Sequence, residues 1–159
     1  MSFMTHPRLA LCVTLMLASL PVALGGRTQE SGKFKTEVYT GKVQPLAKLL
    51  EKHGAKLDAD AAEQWLALVA DDGKVYPLVK DDGSRMFFKD AKLLDRPMRL
   101  TAHLVPELRV LQVVSVQSVI KGKLHEVYYW CDVCSIRTYE AGKCACCGAP
   151  VELKEVPVE

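Results

Sequence analysis

Apolar and polar positions alternate in short runs along most of this chain, with a period of two rather than of three or four. Phe34, Thr36 and Val38 alternate with Lys33, Lys35 and Glu37, which predicts a half-buried strand. Gly41 falls where such a strand can bend sharply. Pro45 opens a different pattern: Leu46, Leu49, Leu50 and His53 lie at helical spacing and Gly54 supplies a stop, so a short helix is expected over 45–53. Trp65–Ala70 and Lys74–Lys80 flank Asp71-Asp72-Gly73, a hairpin with its own turn residues. A second Asp-Asp-Gly at 81–83 ends the return strand, and Lys89–Asp95 predicts one or two helical turns before Pro97. Met98, Leu100, Ala102 and Leu104 then alternate with Arg99, Thr101 and His103. Val110–Ile120 is rich in β-branched residues and stops at Gly122.

The first 25 residues follow neither pattern. His6 and Arg8, with no acidic residue, precede an apolar run from Leu9 to Leu20. Pro21 breaks the run, and Ala23-Leu24-Gly25 puts small residues where a signal peptidase reads. This predicts a signal peptide over 1–25, with Cys12 lost in the leader, and an exported protein, periplasmic or secreted. An uncleaved anchor is the competing reading, although the run is short for a membrane span. Residues 26–32 read as a polar, flexible lead-in.

Composition narrows the class. The 159 residues are 49% hydrophobic and 25% charged, which is ordinary for a globular chain and argues against disorder. Length alone points to one domain with a small appendage. No apolar run after the leader is long enough to span a bilayer. With 21 basic and 19 acidic residues the formal charge is +2, too balanced for a strong nucleic-acid footprint.

The predicted order is strand, helix, strand, strand, short helix, strand, strand. Five strands with a helix between the third and fourth resemble the OB fold, a five-stranded Greek-key barrel. The resemblance covers residues 33–122 and implies a mainly β class with one or two short helices. The helix at 45–53 departs from the simplest OB order and would be an insertion between the first two strands. A small SH3-like barrel and an α+β sheet fit the same pattern. OB folds often bind oligonucleotides or sugars, but fold does not fix function.

The chemistry concentrates at the C-terminal end, where five of six cysteines fall within Cys131–Cys147. Cys131, Cys134, Cys144 and Cys147 form two CxxC pairs separated by nine residues. Each pair can fold into a tight knuckle whose sulfurs converge, and four thiolates suit tetrahedral zinc. Gly148 permits the turn just beyond the last sulfur. Tyr128–Trp130 and Val151–Leu153 are the expected strands at the base of the knuckles. The segment 123–159 resembles a zinc ribbon, and by that resemblance Cys131, Cys134, Cys144 and Cys147 are the metal ligands and Zn2+ the cofactor. Cys146 departs from the ribbon pattern and leaves the pairing within the second knuckle open. Two disulfides plus a free thiol, or a soft ion such as Cu(I), are competing uses of the same residues. Haem attachment fails, because Ser135 and Gly148 stand where histidine is required.

Other constellations are weaker. His53, His103 and His125 are scattered and read as helix-end, strand-surface and loop residues, His125 lying six residues before Cys131. The Asp-Asp-Gly segments read as turns rather than paired carboxylates or a calcium site. Tyr128, Tyr129 and Trp130 read as packing rather than a stacking platform. No catalytic constellation and no phosphate loop is present. A chain with a Tyr-Trp-Cys-x-x-Cys ending is also similar to small uncharacterised exported bacterial proteins, a resemblance that implies no activity. The expectation is an exported, non-enzymatic binding module with a structural zinc and an unknown partner. A metal-handling protein is the alternative, and a nucleic-acid-binding module a more distant one.

Overall fold

The computed structural model describes residues 35–62 and 64–158. The leader expected over 1–25 and the lead-in over 26–32 lie outside the described residues. Eight strands form one antiparallel sheet, accompanied by three short α-helices and a 3-10 turn at Ala91–Leu93. The strands are β1 (Thr36–Pro45), β2 (Leu66–Ala70), β3 (Val75–Pro77), β4 (Pro97–Val105), β5 (Val110–Ile120), β6 (Lys123–Cys131), β7 (Ile136–Thr138) and β8 (Glu152–Pro157). Helices α1 (Leu46–Glu51) and α2 (Ala59–Ala62) separate β1 from β2, and α3 (Arg85–Lys89) lies between β3 and β4.

The strand order is β3-β2-β1-β4-β5-β6-β7, with β8 also paired to β6. The mainly β class and the insertion of a helix after the first strand therefore hold, whereas the sheet has eight strands and is not closed. The reason for the opening lies in β3. Its three residues pair with β2, and then the chain peels away. A lone parallel bridge, Leu78 to Leu111, and the Val79 amide on the Leu111 carbonyl at 2.9 Å are what join β3's end to β5. Farther along, β5 pairs with β6 instead, from Gln117↔Glu126 to Ile120↔Lys123.

Alternation put the right side chains inside. Val43, Leu68, Met98, Leu100, Ala102, Leu111 and Val113 all fall on the covered face, joined by Met86 and Phe87 of α3 and by Leu93. Each fully buried aliphatic or aromatic side chain of this kind contributes about 1.5–3 kcal/mol. The same cluster takes in Val127 and Tyr129 of β6, with Val151 and Leu153 packed against it. The strand that carries the first cysteine thus shares the core of the sheet.

Local chemistry explains the joints. The Asp71-Asp72-Gly73 turn forms as expected: Asp72 Oδ1 accepts the Lys74 amide at 3.0 Å and Gly73 has φ 82°. The second Asp-Asp-Gly does more than turn. A side chain at Gly83 would run into the Val113 carbonyl, where β5 carries a bulge opposite Thr101/Ala102. Asp81 Oδ2 accepts from Gln112 at 3.0 Å, and the buried Ser84 hydroxyl donates to the Val79 carbonyl. This packing starts a helix at Arg85, earlier than the turns expected over 89–95. Gly41 proves to be a point of close approach, since a Cβ there would meet the Val69 carbonyl of β2.

Candidate metal centre

Strand β6 is the platform of the cysteine region. Its first residues pair with β5, its last with β7 (Tyr129↔Thr138, Trp130↔Arg137, Cys131↔Ile136), and its other edge with β8 from His125↔Pro157 to Trp130↔Glu152. The strand expected at Tyr128–Trp130 falls within β6, and of the one expected at Val151–Leu153 Glu152 and Leu153 begin β8, with Val151 just before it. Cys131 ends β6, and the turn 132–135 carries Cys134 back before β7 begins. The second pair sits on a loop after β7. That loop is pinned at its base by the Lys143↔Pro150 bridge and by the Cys144 amide on the Ala149 carbonyl at 2.7 Å.

In both turns the residue after the second cysteine is left-handed, Ser135 at φ 52° and Gly148 at φ 73°. That conformation reverses the chain so that backbone amides face the first sulfur of each pair. The Cys134 amide donates to Cys131 Sγ at 3.5 Å. The amides of Cys147 and Cys146 do the same for Cys144.

The four sulfurs of Cys131, Cys134, Cys144 and Cys147 all lie within 4.8 Å of one another. Cys131 Sγ and Cys147 Sγ are 3.6 Å apart. A regular tetrahedron of zinc–sulfur bonds of about 2.3 Å has sulfur–sulfur edges of about 3.8 Å, so the donor set matches a tetrahedral thiolate ion in size and number. Five cysteines, 131, 134, 144, 146 and 147, are free. The group can hold a metal ion, and soft sulfur donors select zinc or copper over magnesium or calcium.

The thiols are not equivalent. Backbone donors from Cys147 and Cys146 bring Cys144 down to about 7, which favours its thiolate. At Cys131 the Cys134 amide pulls the same way, but burial and the neighbouring thiols outweigh it and leave the group above its ordinary value. Cys134 is pushed up, chiefly by the thiols of Cys147 and Cys146.

The aromatic run before Cys131 packs rather than standing open. Tyr128 and Tyr129 are buried, Tyr129 donates to Asp90 Oδ2 at 3.0 Å, and the Arg137 guanidinium stacks on the Tyr128 ring at 4.2 Å. His125 sits on β6, six residues from Cys131, so about 20 Å of strand separates them and it is no part of the cluster. Its Nδ1 lies 3.1 Å from the Lys123 carbonyl. His103 faces Thr36 Oγ1 at 3.1 Å on β4, and His53 is exposed just after α1.

A cavity of about 460 Å³ opens where β5 leaves β6, between Met86, Val114, Val127, Tyr139 and the carboxylates of Asp82 and Glu126. Both carboxylates are ion-paired, Asp82 with Arg85 at 2.6 Å and Glu126 with Arg137 at 3.0 Å. Sequence periodicity gave no sign of this cavity, because it forms at a bulge and at a strand divergence. Among the described residues no helix is long and apolar enough to cross a membrane. Comparison of the chain with protein-family models, with curated proteins and with solved structures finds no match in any of the three.

Proposed function

We propose that the chain is an exported, non-enzymatic binding module, an OB-like curled sheet bearing a zinc-ribbon-like arm in which Cys131, Cys134, Cys144 and Cys147 hold a structural zinc ion. The observation that carries this reading is the convergence of four sulfurs within 4.8 Å of one another. Four protein thiolates fill a tetrahedral zinc and leave no position for substrate, which favours a scaffold over metal-assisted hydrolysis. The OB part draws on the order β3-β2-β1-β4-β5, the helix before β4 and the Leu78–Leu111 bridge. The near-balanced charge speaks against nucleic acid as the partner.

The test is elemental analysis of the purified full chain together with a free-thiol count. The expected result is one zinc per chain, lost in Cys131→Ser. A metal-free chain with two disulfides would overturn the reading. Export is tested separately, by an intact mass lacking residues 1–25 in secreted material; a retained Met1 on membrane-bound protein is the contrary result. Metal handling remains the second reading, favoured by the exposure of Cys146 beside the cluster.

A further inference from the structure

Strand β6 carries β5 and β7 on one edge, β5 at 123–126 and β7 at 129–131, and β8 on the other. Between those two stretches β5 turns away, and the cavity of about 460 Å³ fills the fork. Val114, Ser115, Val116 and Gln117 of β5 line it in succession, as do Glu126 and Val127 of β6. Side chains alternate between the two faces of a strand, so successive residues line one cavity where the strand is met edge-on. The cavity therefore lies in the plane of the sheet, between two strand edges.

The β5 edge there is unused. Among the described residues its strand partners on this side are Leu78, bridged to Leu111, and β6 from Gln117 onward. Main-chain groups of successive strand residues point to opposite edges, so either Ser115 or Val116 directs its N–H and C=O into the fork. Val114 is the extra residue of the bulge, between Ala102↔Val113 and Thr101↔Ser115, and its side chain is 54% exposed. Tyr139 and Val158, also on the lining, are 53% and 47% exposed. The charges at the mouth cancel: Asp82, Glu126 and Glu140 are ion-paired with Arg85, Arg137 and Lys89. A charged ligand would have to break one of these pairs, whereas backbone hydrogen bonds and apolar contacts are open to a neutral one.

We propose that this fork is the binding site of the module, and that it takes an extended, uncharged stretch of another polypeptide as a short added strand on β5, with an apolar side chain in the cavity. The open stretch 114–116 is about 10 Å long, enough for three strand residues. Main-chain pairing supplies the attraction, and the cavity selects the side chain. This deepens the binding-module reading and rests on it, but it is independent of the metal.

The experiment adds a capped, uncharged peptide, acetyl-Thr-Val-Thr-Val-Thr-amide, at millimolar concentration to the full chain and reads amide hydrogen exchange. Exchange is expected to slow within 114–116 and to stay unchanged at Val75 and Tyr76 of β3, where the sheet ends. The same peptide with every backbone nitrogen methylated should bind about tenfold more weakly, because its donors are gone. The unmethylated peptide should lose about as much, roughly tenfold, on Val114→Lys, which places a charge on the edge at an exposed position. The proposal is overturned if 114–116 gains no protection, if β3 gains as much, or if Val114→Lys binds at parental strength. Equal binding of the methylated peptide also overturns it, and would leave the fork a pocket for apolar groups without strand pairing. Zinc content is measured on the same samples. An empty fork in a chain with one zinc overturns this proposal alone, and a metal-free chain that pairs with the peptide overturns the zinc assignment alone.

Discussion

The two cysteine turns share a local design and differ in what holds them. In each, the first sulfur is buried, the second is more open, and the next residue is left-handed. The first turn is the end of a hairpin: β6 and β7 pair up to Cys131↔Ile136, and β6 is rooted in the core through Val127 and Tyr129. The second has no strand pairing of its own beyond the Lys143↔Pro150 bridge, a few backbone bonds and the join to β8. Identical ligand spacing thus rests on two kinds of support. One turn is built by the sheet, and the other is held by a few backbone bonds and the convergence of its sulfurs.

The largest expected effect follows from that difference. On the proposed zinc reading, stripping metal from the full chain should abolish hydrogen-exchange protection across residues 142–150, because the free energy of metal binding would then contribute to ordering that loop. Protection at β6 should fall far less, and the strands β1–β5 should keep their circular-dichroism signal. Equal loss at both turns would show that the sheet does not support the first one. Unfolding of the whole chain would show that the sheet itself depends on the metal.

Next in size is Val127→Ala, at the root of the first turn, where the side chain is 1% exposed. Its truncation should cost about 2 kcal/mol in denaturant unfolding. The cost should be the same with and without metal, since Val127 packs in the core rather than on the sulfurs. A penalty that appears only in the metal-bound protein would tie β6 to the second turn instead.

The sequence pattern reached some of this and missed the rest for identifiable reasons. Strand β4 was readable because its apolar and polar positions alternate against a covered face, β1 from the alternation at its start, and β5 from its run of β-branched residues. The cysteine spacing was readable because ligand geometry depends on short-range chain separation. The extent of β6 was not: Leu124, His125 and Glu126 are all half-buried, so neither face shows a clean period of two. Helix α3 has five residues, too few for a helical period, and forms because Met86 and Phe87 reach the core. The shortening of β3 to Val75–Pro77 depends on a distant partner, Leu111, that no local pattern could reveal. The involvement of Cys146 with Cys134 is likewise a tertiary fact.

A third prediction concerns ionisation in the metal-free chain. Amides from Cys147 and Cys146 hold Cys144 at about 7, below the ordinary thiol value of 9.0, whereas Cys134 is shifted upward. A group with a lowered folded value stabilises the fold above its unfolded value, and that contribution disappears as pH falls through about 7. Ultraviolet thiolate absorbance should therefore show a first step near neutrality that Cys144→Ser removes and Cys134→Ser leaves in place. A first step that survives in Cys144→Ser would place the thiolate on another cysteine.

The smallest effect separates the two left-handed residues. Gly148 has φ 73° and a side chain there would meet no atom within 4 Å, so Gly148→Ala adds backbone strain and nothing else. That strain is about 1–2 kcal/mol, which lowers zinc affinity roughly tenfold if it falls on the metal-bound state. Ser135 already bears a side chain at φ 52°. Ser135→Gly relieves that strain but frees the unfolded chain by about 0.5–1 kcal/mol, so the two largely cancel. Zinc affinity should then change by less than about threefold, or about 0.6 kcal/mol. Competition titration of both variants against one chelator reads the contrast directly. If Gly148→Ala proves as silent as Ser135→Gly, the second turn is not strained by a side chain, and its glycine serves loop mobility alone.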